Sequence, residues 1–182
     1  EIAISALHST GDYLVLRKLN LERDSRFTNQ SVPGAEIALC IDTETTGMDY
    51  SVDKVIEIGM VAFEYDPLTS NIIRICDRYS GFEDPGSPLP EEIKEITGIT
   101  DEMVSGQAFD NDLVIRMAQR ASLVIAHNAA FDRKFVETRF PIFARFPWAC
   151  TVSQLDWRAE RIASRSLEYL LYKCGGYYIN AH

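Results

Sequence analysis

Asp42-Thr43-Glu44-Thr45-Thr46-Gly47 follows the apolar run Ile37-Ala38-Leu39-Cys40-Ile41, so two carboxylates stand where a buried strand would emerge into solvent. Residues i and i+2 of a strand point to one face, which aims Asp42 and Glu44 side by side. Carboxylates that close repel each other unless something positive lies between them. Hard cations such as Mg²⁺ and Mn²⁺ take oxygen ligands, and paired ions of this kind catalyse phosphodiester cleavage. The plain alternative is a strand end followed by a Thr-Gly turn, and Asp-x-Glu alone does not separate the two.

Two further segments bear on that choice. The apolar stretch Ser122-Leu123-Val124-Ile125-Ala126 runs into His127-Asn128-Ala129-Ala130-Phe131-Asp132, which puts Asp132 in the first turn of an expected helix. A carboxylate there can reach the crevice beside the ends of other strands in the sheet, and three converging carboxylates need a cation. Taken alone, Asp132 also reads as a helix-dipole or capping residue. The last residues, Asn180-Ala181-His182, carry an imidazole. Its pKa near working pH suits it to take the proton from an attacking water in a metal-dependent hydrolase. No Ser-His-Asp order, Cys-His pair or phosphate-cradling glycine loop competes in the sequence.

The elements that must position these groups can be read from apolar runs and turn chemistry. Residues 37–41 and 55–63 are short, β-branched runs and read as strands, and Asp66-Pro67-Leu68-Thr69-Ser70-Asn71 turns the second into a third at 72–76. Three antiparallel strands therefore open the domain. Residues 81–90 read as a Gly/Pro loop, then come a helix at 91–96, a helix start at 100–103 and a helix at 111–120 with Leu113, Val114, Met117 and Ala118 on one face. Beyond the strand ending at Ala126, helices are expected at 131–140, 151–162 and 166–174, the last stopped by Gly175-Gly176. Strands first and alternating helices later make a mixed α/β domain. Residues 1–34 hold one apolar run, Tyr13-Leu14-Val15-Leu16, and a Pro33-Gly34 turn, and read as an N-terminal arm or hairpin preceding the domain at 35–182.

With 182 residues and 46% hydrophobic composition the chain can build a real core. It contains no apolar stretch of membrane-spanning length and no leader-like N-terminus, so a cytoplasmic protein is expected. Cys40, Cys76, Cys150 and Cys174 form no Cys-x-x-Cys pair and are expected to be buried free thiols. The chain begins at Glu1 without a methionine, and a trimmed or partial chain is the expectation. A net charge of -9 argues against nucleic acid only as a sum. Residues 36–112 hold eighteen acids and four bases, whereas 113–182 hold five acids and ten bases. The latter group includes Arg133, Lys134, Arg139, Arg145, Arg158, Arg161, Arg165 and Lys173, which either track a phosphate backbone or decorate solvated helices.

In their order, these segments resemble the DEDDh 3′–5′ exonucleases of ribonuclease-H-like fold, typified by the epsilon proofreading subunit of bacterial DNA polymerase III. The likeness covers residues 37–182. Asp42-Thr43-Glu44-Thr45-Thr46-Gly47-Met48 resembles the first exonuclease motif, and Lys54-Val55-Ile56-Glu57-Ile58-Gly59 the strand after it. His127 to Asp132 resembles the second motif and Ala181-His182 the opening of the third, while Thr97-Gly98-Ile99-Thr100-Asp101-Glu102-Met103 is similar to the family's Gly-Ile-Thr-Asp segment. Thr97 stands where the epsilon subunit has a histidine.

The resemblance implies a mixed sheet, three antiparallel strands first and a further strand parallel, flanked by helices. It implies that Asp42, Glu44 and Asp132 hold two divalent ions, Mg²⁺ or Mn²⁺, and that His182 is the general base. By the same likeness Thr45 meets the terminal 3′-OH through its backbone, Met48 wedges beside the last base and Asn128 contacts substrate. The family's third motif carries a further aspartate after the histidine, expected here beyond His182. The implied reaction is hydrolysis of terminal phosphodiesters in single-stranded or frayed DNA, releasing 5′-mononucleotides, with a DNA polymerase as a partner and no membrane. RNA as substrate, or a catalytically silent nucleic-acid-binding or polymerase-docking module, are the alternatives.

Overall fold

The computed structural model describes residues 2–19, 27 and 29–178. From the N-terminus these form helix α1 (Ile2–Thr10), the short strand β1 (Arg17–Lys18), and strands β2 (Glu36–Thr45), β3 (Val55–Tyr65) and β4 (Ile72–Phe82). Helices α2 (Glu91–Thr97), α3 (Asp101–Val104) and α4 (Asn111–Arg120) follow, then strand β5 (Leu123–Ala126) and helix α5 (Ala129–Arg139). A 3₁₀ turn (Pro141–Arg145), strand β6 (Trp148–Cys150), helix α6 (Leu167–Lys173) and strand β7 (Gly176–Tyr177) complete the order. The chain divides into two compact units, residues 25–154 and residues 1–24 with 155–182.

Within residues 25–154, a five-stranded sheet has the order β4-β3-β2-β5-β6. β2 runs antiparallel to β3, with Ile41 opposite Met60, Asp42 opposite Gly59 and Glu44 opposite Glu57. β4 is antiparallel to β3, whereas β5 lies parallel to β2 and β6 parallel to β5. This is the mixed sheet flanked by helices that the sequence led us to expect. Its core gathers Leu39 and Ile41 of β2, Ile58 and Met60 of β3, Val114 and Met117 of α4, Val124 of β5 and Phe143 of the 3₁₀ turn. Phe143 is fully buried, with ring centroids 6.2 Å from Trp148 and 6.4 Å from Phe140 and Phe146. Burial of one such ring contributes about 2–3 kcal/mol.

Local chemistry sets the helix ends. The Asp110 side chain accepts from Leu113 N at 2.9 Å and caps α4, whose Val114, Met117 and Ala118 are buried as their spacing requires. α2 starts after Pro90 with Glu91 and Glu92 in its first turn, and Gly98, at φ 74°, stops it in the left-handed conformation that glycine adopts without strain.

Several elements differ from the sequence reading. β4 continues to Phe82 through the segment expected to be loop, because Gly81 pairs with Ile58 and Phe82 with Glu57, which satisfies the backbone groups of β3. Gly81 also makes room for the Tyr79 ring, whose hydroxyl accepts from Asp110 N at 2.9 Å. No helix forms over 151–162. The Asp156 carboxylate instead accepts from Arg158 N and Ala159 N at 3.2 Å, a local turn that competes with helical bonding, and Arg161 takes φ 59°. The three-residue β6 was not expected. The four cysteines are free, as expected, but Cys40, Cys76 and Cys150 are only partly buried and Cys174 is exposed.

In the other unit, β1 pairs in parallel with β7, Arg17 opposite Gly176 and Lys18 opposite Tyr177. Tyr13 to Leu16 form no strand, and the N-terminal segment opens with α1.

Candidate active site

The site is built where β2 outruns its parallel neighbour. β5 pairs with β2 only as far as Ile125 opposite Cys40, so residues 41–45 of β2 have β3 on one side and no strand on the other. Backbone groups of alternate residues face that open side: Ile37 O accepts from Ser122 N at 2.8 Å, and two-residue steps from Ile37 lead to Thr43. The Thr43 amide would be an unpaired edge donor there. Asp132 fills the position, its Oδ1 accepting from Thr43 N at 3.1 Å and from Thr43 Oγ1 at 2.9 Å. A helix carboxylate thus takes the place of the missing strand.

The strand pleat sorts the remaining groups. Thr43 and Thr45 are buried on one face of β2, while Asp42 is exposed and Glu44 partly buried on the other, together with Glu57 across from Glu44. A register shift between Glu44 and Thr45 ends the regular pairing with β3. The chain then loops tightly around Asp53, whose carboxylate accepts from Thr46 Oγ1 at 3.0 Å and from Asp49 N at 2.9 Å. A Cβ on Gly47 would stand 2.5 Å from an Asp53 oxygen, so a larger residue here would push that carboxylate aside. Thr45 Oγ1 donates to Gly47 O at 2.6 Å, and the loop carries Met48 outward with 81% of its surface exposed.

Asp132 lies in the first turn of α5 and is 2% exposed. Burial, helped by the nearby charge of Asp42 and opposed by the Thr43 hydrogen bonds, raises its carboxyl from the ordinary 3.8 to about 6. Asp42 and Asp132 are therefore close enough for one charge to act on the other. Among the described residues, no three His, Cys, Asp or Glu side chains come together as a group that could hold a metal ion, so Asp42, Glu44 and Asp132 are not gathered as a trio. The donor set fits a hard divalent cation nonetheless: it is all carboxylate oxygen, and a positive charge would relieve both the burial of Asp132 and its repulsion with Asp42.

The other expected site residues are distributed unevenly. Asn128 occupies the N-cap position of α5 in the left-handed conformation, φ 67°, with no capping bond from its side chain, and its carbonyl accepts from Phe131 N at 2.9 Å. His127 Nδ1 lies 2.7 Å from Thr151 Oγ1. His182 and Asn180 lie outside the described residues. Sequence reasoning passed over Thr43, although a hydroxyl residue between two acids was in plain view.

The basic block also divides. Arg139 is committed to structure: it makes two 2.7 Å bonds to the Glu83 carboxylate and stacks 4.5 Å from the Phe140 ring centroid. Arg133 pairs with Glu137, and Lys134 lies 5.3 Å over the Tyr50 ring.

The mixed sheet and its flanking helices are those of exonucleases with a ribonuclease-H-like fold. The chain belongs to the exonuclease family, whose RNase T model matches residues 39–182. It is 30% identical over 164 residues to a PolC-type DNA polymerase III of Thermotoga petrophila, covering 89% of this chain and 10% of that protein. A PolC-type DNA polymerase III of Clostridium perfringens is 38% identical over 98 residues, 53% of this chain and 6% of that one. The chain thus spans about a tenth or less of these curated relatives' length.

Among solved structures, exonuclease X in complex with 5′-overhanging duplex DNA matches with 26% identity and a TM-score of 0.50, over 75% of this chain and 72% of that one. The zinc-bound exonuclease I–single-stranded DNA complex of E. coli shares the fold at 20% identity and a TM-score of 0.59, over 81% of this chain and 37% of that one. No helix among the described residues is long and apolar enough to cross a membrane.

Proposed function

We propose that this domain removes nucleotides one at a time from the 3′ end of single-stranded or frayed DNA, releasing 5′-mononucleotides with the help of two divalent ions, Mg²⁺ or Mn²⁺. The observation that carries this reading is the buried carboxylate of Asp132, fixed at the open edge of β2 beside Asp42. Asp42, Glu44 and Asp132 would hold the ions. When bound, these ions would stabilise charge on the attacking and leaving oxygens of the scissile phosphate. The chain's own contribution is to fix its carboxylates and position the DNA end.

In this reading Met48, projecting from the loop after β2, offers an apolar side chain to the last base. The Thr45 hydroxyl is engaged by Gly47 O, and the Thr45 backbone would meet the terminal 3′-OH. Asn128 presents its side chain at the start of α5. His182 would take the proton from the attacking water. The names of the polymerase relatives support a cytoplasmic role in DNA replication, proofreading included, with a DNA polymerase as partner.

Matched DNA and RNA oligonucleotides carrying a 3′-terminal label test the reading. With Mn²⁺ present, the DNA is expected to yield labelled 5′-mononucleotide as the first product by chromatography, faster than the RNA. Faster RNA digestion would transfer the substrate to RNA. Intact oligonucleotide of both kinds would leave a binding module in place of an enzyme.

A further inference from the structure

The residue between the two motif acids has a structural setting that the proposed chemistry leaves unused. Thr43 is 6% exposed, on the face of β2 away from Asp42 and Glu44. Both of its hydrogen-bond donors end on one atom, Oδ1 of Asp132. The amide bond follows from strand geometry, since β5 stops opposite Cys40 and leaves that edge open. The hydroxyl bond does not follow from the backbone: any residue supplies the amide, whereas only a hydroxyl side chain supplies the second donor.

Two donors on one oxygen fix both the position and the rotation of a carboxylate more tightly than one. They also leave Oδ2 uncontested by Thr43. A buried carboxylate without such a hold can rotate about its χ2, whose energy profile is broad. Groups that orient a metal ligand without touching the metal typically change affinity by about 10- to 100-fold when removed.

We propose that Thr43 is a positioning residue for divalent-ion binding: its hydroxyl, with its own backbone amide, locks Asp132 through Oδ1 so that Oδ2 is presented to the ion. The inference rests on the proposed metal site and deepens it. It gives the middle position of Asp-Thr-Glu a role of its own, set by hydroxyl chemistry rather than by strand propensity.

The test is a Mn²⁺ titration of the purified protein without nucleic acid, followed by electron paramagnetic resonance of free Mn²⁺, with thermal melts run in parallel in EDTA. Thr43→Val keeps the shape and the amide but removes the hydroxyl, and Mn²⁺ affinity is expected to fall about 10-fold or more. Thr43→Ser keeps the hydroxyl and is expected to bind within about twofold of the unaltered protein, which a role in packing alone would not produce. Asp132→Asn, the control for the site itself, is expected to bind weakly.

Equal Mn²⁺ affinity for Thr43→Val and the unaltered protein, with Asp132→Asn weakened, overturns the role of Thr43 and spares the metal site. Equal loss in Thr43→Ser and Thr43→Val assigns the effect to the methyl group and overturns it too. Undiminished binding by Asp132→Asn overturns the metal site, and the inference with it. Should Thr43→Val melt before the titration temperature, the serine variant and Thr43→Ala are compared at a lower temperature: serine retained and alanine weakened supports the proposal, and any other order overturns it.

Discussion

Asp132→Asn is expected to make the metal-free protein more stable while abolishing its nuclease activity. The carboxyl of Asp132 is raised from 3.8 to about 6, chiefly by burial. The folded state therefore holds this proton more tightly than the unfolded chain does. The stability it contributes is fully present below about pH 4 and is lost as pH rises through about 6. The loss corresponds to about 3 kcal/mol, an upper figure because Asp42 and the buried site relax together. Asparagine carries no charge to desolvate, and its carbonyl oxygen can still accept both bonds from Thr43.

Urea unfolding in EDTA should then show the two proteins equal near pH 4 and the variant ahead by about 1–3 kcal/mol at pH 8. Activity should fall by about 10³-fold or more, as expected when a group supplying several kcal/mol of transition-state stabilisation is lost. A variant less stable than its parent at pH 8 would mean that Asp132 is already paired with positive charge in the metal-free protein.

Asp42→Ala should match that loss of activity for a different physical reason. Asp42 is exposed at the end of β2, so its removal should shift the unfolding free energy by no more than about 0.5 kcal/mol. Its carboxylate would be a direct ion ligand, and one missing ligand in a site this sparse leaves neither ion properly held. Activity on 3′-labelled DNA should drop by about 10³-fold or more with an unchanged melt. Removing Asp42 also removes the second cause raising the Asp132 carboxyl, so the pH at which stability falls should move downward. Undiminished Mg²⁺-dependent digestion by Asp42→Ala would place the chemistry elsewhere in the molecule.

The acids themselves could be read from the sequence because their positions follow from local rules. An apolar β-branched run ending in Asp-x-Glu must place both carboxylates on one face of a strand end, and β2 does so. Likewise the apolar spacing in 111–120 required the buried face that α4 presents. The bond between Asp132 and Thr43 could not be read in that way. It exists because β5 ends opposite Cys40 and leaves one edge of β2 unpaired, a matter of register between strands more than 80 residues apart. β6 escaped notice because three residues carry no period, and 151–162 misled because Asp156 satisfies nearby amides more locally than a helix would. The pairing of Arg139 with Glu83 likewise left no local signal, because the two residues are 56 positions apart.

The most direct measurement compares single-stranded DNA labelled at its 3′ end with the same strand labelled at its 5′ end, each incubated with the protein in Mg²⁺ and again in EDTA. The expected result is immediate release of the 3′ label as mononucleotide, single-step shortening of the 5′-labelled strand, and neither in EDTA. Release of the 5′ label first, or digestion that continues undiminished in EDTA, would contradict a metal-dependent 3′–5′ exonuclease centred on Asp42, Glu44 and Asp132.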